Sequence, residues 1–73
     1  MRLQQLIYLE KIVEVGSINV AAKELFLTQP SLSKAIKELE EEMGIQILRR
    51  KQTGVSLTND GREFMAYAKQ ILD

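Results

Sequence analysis

The apolar residues of the opening segment recur at steps of three and four residues. They are Leu3, Leu6, Ile7, Leu9, Ile12 and Val13. This period is typical of an amphipathic helix with one buried side. Gly16 is a suitable residue to end that helix, and Ser17 is a suitable N-cap for the next one. The pattern therefore predicts a first helix that stops near Gly16.

Two further helices are predicted over about Ile18–Leu25 and over residues 29–43, with Phe26-Leu27 in the turn between them. Thr28 is a candidate N-cap for the third helix, and Pro30 lies in its first turn, where the missing N–H costs little. The buried stripe of this helix is expected to comprise Leu32, Ile36, Leu39 and Met43. Two helices joined by so short a turn predict a helix-turn-helix.

After Gly44 the apolar period changes to alternation. Ile45, Ile47, Val55 and Leu57 alternate with polar residues on either side of the segment RRKQTG. This pattern is typical of a β-hairpin, here expected over about residues 46–57 with Gly54 in or near its turn. A β-hairpin that follows a helix-turn-helix is called a wing, so the pattern predicts a winged helix-turn-helix.

A last helix is predicted from Asn59 to the end of the chain, with Thr58 as its N-cap and Asp60 in its first turn. Its apolar side consists of Phe64, Met65, Ala68, Ile71 and Leu72. We expect the chain to be part of a longer protein, because this pattern runs to Asp73 without a C-cap. The predicted fold class is mainly α with a small β-hairpin: a winged helix-turn-helix over 1–58, followed by a long linker helix over 59–73.

The composition excludes several kinds of chemistry. The chain has 73 residues, with no cysteine and no histidine. It therefore has no disulfides, and it lacks the usual zinc ligands and a base with a pKa near neutrality. We expect no enzymatic activity and no cofactor in this domain. Neither a signal peptide nor an apolar run of roughly 18 residues is present, so a cytoplasmic location is expected.

The charged residues are unevenly distributed, although the formal net charge is zero. A zero net charge by itself argues against a nucleic-acid partner. Residues 28–37 and 43–59, however, contain no acid, and their basic residues are Lys34, Lys37, Arg49, Arg50 and Lys51. Segregation of this kind produces a locally positive surface.

The start of the third helix carries the residues best suited to contact DNA. Gln29, Ser33, Lys34 and Lys37 lie away from the buried stripe, and Pro30 and Ser31 lie at the exposed end. A recognition helix presents its N-terminal residues to the major groove, where Gln pairs with adenine. The cluster of Glu38, Glu40, Glu41 and Glu42 would then point away from the duplex.

Plainer interpretations remain open for these features. Lys34–Glu38 and Lys37–Glu41 have the i,i+4 spacing of surface ion pairs, each worth only about 0.2–0.5 kcal/mol. The basic segment RRKQTG is also typical of a turn that blunts a sheet edge. The aromatic residues Tyr8, Phe26 and Tyr67 are expected to be packing residues, because the chain has too few aromatic residues for base-stacking platforms.

The chain resembles the N-terminal DNA-binding domain of the LysR-type transcriptional regulators over essentially all of its residues. The opening matches through Leu3, Leu6, Leu9, Ile12, Glu14, Gly16 and Ser17. The helix-turn-helix matches through Ala21, Ala22, Leu25, Gln29, Pro30, Leu32, Ser33, Ile36, Leu39, Glu40 and Gly44. The end matches through Arg50, Leu57, Thr58 and Gly61.

The resemblance implies a bacterial regulator that binds partly palindromic promoter DNA as a homodimer or higher homo-oligomer. It also implies that a small-molecule effector binds a C-terminal domain outside this chain. Taken together with the charge pattern described above, the resemblance gives these expected DNA-binding residues: Thr28, Gln29, Pro30, Ser31, Ser33, Lys34, Lys37, Arg50, Lys51 and Thr53. The dimerisation residues would be Phe64, Met65, Ala68, Ile71 and Leu72. Thr53 departs from the family, which often has Arg there, so phosphate contact falls to Arg49, Arg50 and Lys51.

The sequence offers less support for two other classes of protein. A winged-helix module for protein–protein contacts would be indicated by acidic residues on the recognition face of the third helix, and that face has none from Thr28 to Lys37. A coiled-coil fragment would need an apolar heptad pattern over several heptads, which Pro30, the glycines and the hairpin interrupt.

Overall fold

The order of elements confirms the predicted winged helix-turn-helix. A computed structural model describes residues 1–73. It contains, in chain order, α1 (Leu3–Val15), α2 (Ile18–Glu24), α3 (Gln29–Met43), β1 (Leu48–Lys51), β2 (Gly54–Leu57) and α4 (Asn59–Leu72). The second and last helices each end one residue earlier than predicted, because Leu25 and Asp73 are their C-caps.

Short polar side chains determine where three of the helices begin. The Ser17 hydroxyl accepts a hydrogen bond from the Val20 N–H, and the Thr28 hydroxyl accepts one from the Ser31 N–H. Thr58 caps α4 in the same way. Each cap pairs an N–H group that has no partner inside its own helix. The predicted N-caps are therefore confirmed.

The core lies where α1, α2 and α3 meet the base of the hairpin and one side of α4. Its buried apolar residues are Leu6, Leu9, Ile12, Ile18, Ala21, Ala22, Leu32, Ile36, Leu39, Ile47, Leu48, Met65 and Ala68. Gln5 is the one buried polar residue, and its amide donates to the Ala35 carbonyl at 3.3 Å while accepting from the Arg2 N–H at 2.9 Å. Because its polar atoms are paired, Gln5 fixes α1 against α3 without leaving an unsatisfied group.

The hairpin is shorter than the apolar alternation predicts. β1 and β2 are antiparallel, with Leu48 opposite Leu57 and Lys51 opposite Gly54. The prediction that Ile45 and Ile47 belong to the first strand is wrong. The Ile47 N–H donates to the Glu40 carboxylate at 2.7 Å rather than to a neighbouring strand.

Hydrogen bonds at both ends position the hairpin on the helices. At its tip, the Val55 N–H donates to the Gly16 carbonyl at 3.2 Å, and a Cβ on Gly54 would lie 2.4 Å from the same oxygen. Gly54 also has a φ of 137°, which side chains rarely allow. At its base, the Thr58 hydroxyl donates to the Gln46 carbonyl and the Thr58 N–H to the Ile47 carbonyl. The hairpin is therefore held at both ends.

Lys11 links α1 to α2 through an ion pair. Its ammonium lies 3.2 Å from Glu24 and 3.5 Å from Glu14. The hydrogen bond to Glu24, together with the charge of Glu14, raises the pKa of Lys11 above its usual value of 10.5. Any stability from this pair is present at neutral pH and is lost as pH rises through the raised pKa.

Phe26 and Tyr67 are not packing residues, in contrast to the prediction. Phe26 is 95% exposed and Tyr67 is 69% exposed, whereas Tyr8 packs partly buried against the core. Phe26 has a φ of 58°, because the turn between α2 and α3 requires a left-handed residue at this position. For a bulky residue this conformation is strained, and exposure leaves its ring without compensating contacts.

Replacing Phe26 is expected to stabilise the fold. Asn adopts the left-handed region more readily than other L-residues, so Phe26→Asn should raise the free energy of unfolding by about 1 kcal/mol. The measurement is a urea titration at unchanged m-value. Phe26→Ala is the matched control, since it removes the same exposed ring but lacks the short polar side chain that stabilises Asn in the left-handed region, and it should give little gain. Equal stabilities for the two variants would show that strain at Phe26 is not the cause.

Candidate nucleic-acid interface

The N-terminal end of α3 is exposed and held by its own cap. Thr28 accepts from the Ser31 N–H at 3.2 Å, and its hydroxyl donates to the Ser31 hydroxyl at 2.8 Å. Thr28, Pro30 and Ser31 are all exposed. The first turn of α3 therefore presents short polar side chains and a rigid proline to the outside.

A hydrogen-bonded bridge joins the start of α3 to the hairpin. The Gln29 amide donates to the Ser33 hydroxyl at 3.1 Å, and the Arg50 guanidinium donates to the same hydroxyl at 3.3 Å. Gln29 and Ser33 lie one helical turn apart on α3, and Arg50 lies on β1. Residues that are distant in sequence thus meet at one point of the surface.

A groove runs between α3 and the hairpin. It is lined by Pro30, Ser33, Lys34, Ile36, Lys37, Glu40, Gln46, Leu48, Arg49 and Arg50. Four of these residues are basic, and Glu40 is the only acid. The Glu40 carboxylate accepts from the N–H groups of Ile47 and Leu48 at 2.7 and 3.1 Å, so its charge is engaged at the base of the hairpin. The accessible charge of the groove is therefore positive.

A second depression lies beside the groove, between the start of α2 and the hairpin tip. It is lined by Ser17, Ile18, Asn19, Gln29, Arg50, Lys51, Gln52, Thr53, Gly54 and Val55. Arg50 borders both this depression and the groove. We refer to the groove and the depression together as the basic face.

The basic residues of the basic face are free of ion pairs. The salt bridges of the protein join Met1 to Glu42, Arg2 to Glu38, and Lys11 to both Glu14 and Glu24. The alternative pairs Lys34–Glu38 and Lys37–Glu41 are not formed. Glu38 and Glu42 pair with the start of the chain, Glu40 supports the hairpin and Glu41 has no ion pair, so the positive charge remains available to an anionic partner.

Eight of the ten residues predicted to bind DNA line the basic face. They are Gln29, Pro30, Ser33, Lys34, Lys37, Arg50, Lys51 and Thr53. Thr28 and Ser31 line neither part and lie at the exposed end of α3. Sequence reasoning missed Asn19, Gln46 and Gln52, which also line the basic face. Asn19 and Gln46 are single polar residues between apolar neighbours, and Gln52 lies within the polar segment RRKQTG, so nothing in the local pattern marks them as site residues.

The predicted dimerisation residues divide into two groups. Met65 is 4% exposed and Ala68 is 1% exposed, since both pack in the core of the chain itself. The prediction that these two residues form a partner surface therefore needs correction: α4 uses them to pack on this chain. Phe64 and Leu72 are partly buried, and Ile71 is 53% exposed.

The structure contains neither a metal-binding cluster nor a helix that could span a membrane. No group of three or more acidic side chains is arranged to hold a metal ion. No helix has the length and apolar character needed to cross a membrane.

This chain is similar to known proteins in both sequence and fold. A model of the bacterial regulatory helix-turn-helix proteins of the lysR family matches residues 3–62. The HTH-type transcriptional regulator TdcA of Escherichia coli K12 is 41% identical over 68 residues, which are 93% of this chain and 22% of TdcA. This chain thus spans about a fifth of the length of that relative.

Two solved structures of DNA complexes superpose closely on this chain. The complex of the CbnR DNA-binding domain with DNA matches with a TM-score of 0.93 at 35% identity, covering 99% of this chain and 83% of that one. The complex of the BenM DNA-binding domain with catB site 1 DNA matches with a TM-score of 0.92 at 43% identity, covering 99% and 81%. Together, the matched residues 3–62 and the shared fold show that this chain belongs to the lysR family of bacterial regulatory helix-turn-helix proteins.

Proposed function

We propose that this chain is the sequence-specific, double-stranded DNA-binding domain of a bacterial transcriptional regulator. The observation that carries the proposal is the basic face, where unpaired basic side chains surround the polar residues at the start of α3. In this proposal α3 lies in the major groove, and the hairpin contacts the sugar–phosphate backbone or the minor groove. The DNA complexes solved for the CbnR and BenM domains support it.

The basic face offers different chemistry for bases and for phosphates. Gln29 carries both a donor and an acceptor, the combination that recognises adenine in the major groove. Lys34, Lys37, Arg50 and Lys51 supply the positive charge that binds phosphates and releases counterions. Thr28, Pro30, Ser31, Ser33 and Thr53 complete the proposed contact surface. Base recognition and phosphate binding are thus assigned to separate residues, which makes the proposal testable by separate variants.

Gln29→Ala is expected to relax base preference at one position of each half-site. Loss of a paired amide contact should reduce discrimination there by about 1–3 kcal/mol, while binding to unrelated duplexes stays nearly unchanged. The measurement is binding to a panel of duplexes with single-base changes. Gln4→Ala is the control, since Gln4 is exposed on α1 and lies outside the basic face. An equal loss on all duplexes would argue against base recognition by Gln29.

Lys51→Ala is expected to weaken binding on every duplex and to lower the slope of log K against log salt concentration by about 1. The reason is that the variant loses one phosphate contact, so that fewer counterions are released on binding. The matched control is Lys23→Ala, because Lys23 is exposed on α2 and lines neither part of the basic face. A slope that is the same for Lys51→Ala and the wild type would remove Lys51 from the phosphate contacts.

We further propose that the protein acts as a homodimer or higher homo-oligomer through α4. Apolar side chains that the protomer leaves exposed support this assignment: Tyr67 and Ile71 on α4, and Leu3 and Ile7 on α1, which packs against α4. Phe64 and Leu72 would contribute their exposed parts. A two-fold related pair of domains would place two recognition helices on two half-sites.

This domain would need no cofactor or metal for DNA binding, and it would catalyse no reaction. A small-molecule effector would bind in segments outside residues 1–73, since TdcA is several times longer than the matched region. A regulator of promoter DNA would act in the bacterial cytoplasm.

A further inference from the structure

The Ser33 hydroxyl lies between two side chains that come from different elements. Gln29 donates to it from the first residue of α3 at 3.1 Å, and Arg50 donates to it from β1 at 3.3 Å. A hydroxyl has one donor hydrogen and two acceptor positions. Both acceptor positions of Ser33 are therefore filled within the protein, and only its O–H remains free to donate.

The bond to Ser33 determines which way the Gln29 amide faces. One hydrogen of Nε2 is held by Ser33. The second hydrogen and the carbonyl oxygen Oε1 remain free. An adenine edge in the major groove requires one donor and one acceptor, and the free atoms of Gln29 supply both. Ser33 therefore restricts this amide before any DNA is bound, and it leaves one donor and one acceptor available to an adenine edge.

The same hydroxyl holds the Arg50 side chain against α3. A guanidinium has five N–H donors, and only one of the Arg50 donors is used by Ser33. The others remain available for phosphate oxygens. Arg50 borders both the groove and the second depression, so its position affects both parts of the basic face. Its bond to Ser33 spans the gap between the hairpin and the recognition helix.

We propose that Ser33 is a positioning residue that couples base recognition by Gln29 to backbone contact by Arg50. Through Ser33, each of these side chains helps to hold the other in its binding conformation. Removal of either one therefore weakens the contribution of the other. This inference rests on the proposed DNA-binding function, and it adds that the two kinds of contact are not independent.

A double-mutant cycle tests the coupling. Affinities are measured for Gln29→Ala, Arg50→Ala and the double variant of the 73-residue chain, on a duplex enriched from a random pool. The fold-loss of affinity in the double variant is expected to be about threefold to tenfold smaller than the product of the fold-losses in the two single variants. In a Ser33→Ala background this shortfall should disappear. Ser33→Thr, which keeps a hydroxyl, should restore it.

Two controls separate positioning from a general effect on folding. The cycle between Gln29→Ala and Lys51→Ala should be multiplicative, because Lys51 has no bond to Ser33. Ser31→Ala removes a serine at the exposed end of α3 and should leave the Gln29–Arg50 coupling unchanged. Thermal unfolding of each variant confirms that the affinities refer to folded protein.

Three results would overturn the inference. A multiplicative Gln29–Arg50 cycle in the wild-type background would show that no coupling exists. A shortfall that persists in the Ser33→Ala background would show that the coupling does not pass through Ser33. If the wild-type chain bound every duplex equally, the proposed function itself would fail and the inference with it. This last outcome is distinct, because it requires no variant.

Discussion

Gly61→Ala is expected to destabilise the protein by about 3 kcal/mol or more, which is much of the stability of so small a domain. A Cβ at this position would lie 2.1 Å from the Ile47 carbonyl oxygen and 3.0 Å from its carbon. Both are backbone atoms, so no side-chain rotation can make room. The first turn of α4 would have to move away from the hairpin base, and the bond from the Thr58 N–H to Ile47 would be strained.

Gly44→Ala is the matched control for Gly61→Ala. Gly44 has a φ of 70°, but a Cβ there would meet no atom within 4 Å. Gly44→Ala should therefore lower the free energy of unfolding by only about 1 kcal/mol, which is the cost of a left-handed backbone conformation for alanine. Urea titration of both variants gives the comparison. If Gly61→Ala lost no more stability than Gly44→Ala, the close approach of α4 to the hairpin base would be contradicted.

Glu40→Ala is expected to lower the free energy of unfolding by about 2 kcal/mol. The carboxylate accepts two backbone hydrogen bonds, from Ile47 at 2.7 Å and from Leu48 at 3.1 Å, and the variant would leave both N–H groups without that partner. Because Leu48 begins β1, the hairpin should also become less well fixed relative to α3. Faster exchange of the Leu48 amide hydrogen is the most direct measurement.

Glu41→Ala serves as the control for Glu40→Ala, because Glu41 is the exposed neighbour and forms no ion pair in the structure. It should change neither the stability nor the exchange rate at Leu48 appreciably. Unchanged exchange at Leu48 in Glu40→Ala would show that Glu40 does not anchor the hairpin.

The helices and their ends could be predicted from local sequence because local interactions determine them. Ser17, Thr28 and Thr58 each bond an N–H three residues further along the chain. The start of the hairpin could not be predicted in this way. Ile45 and Ile47 alternate as strand residues do, but a carboxylate from α3 takes the Ile47 N–H, and that contact depends on the tertiary fold.

The residues of the basic face could be predicted only in part, again because tertiary contacts bring some of them together. The segregation of charge in the sequence indicated which residues would be positive. It left open whether Lys34 and Lys37 pair with Glu38 and Glu41, and the structure excludes those pairs. Asn19 and Gln52 reach the face only because the bond between Val55 and Gly16 brings the hairpin tip to the start of α2. No spacing in the sequence marks such a contact.

The apolar side of α4 shows the limit of periodicity. Met65, Ala68 and Ile71 fit one helical stripe, and the stripe alone cannot say which chain covers it. The structure buries Met65 and Ala68 against the chain itself and leaves Ile71 exposed. The exposed apolar side chains Tyr67 and Ile71 are together more informative about a partner than the stripe as a whole.

Selection of binders from a random duplex pool at moderate salt tests the central claim most directly. The proposal predicts enrichment of a two-fold symmetric motif, with half-sites about one helical turn or more apart. The selection should be repeated with two copies of the chain covalently joined through α4, so that weak association cannot hide the result. Absence of an enriched sequence in both forms, with binding that disappears as salt rises, would contradict sequence-specific recognition by the start of α3.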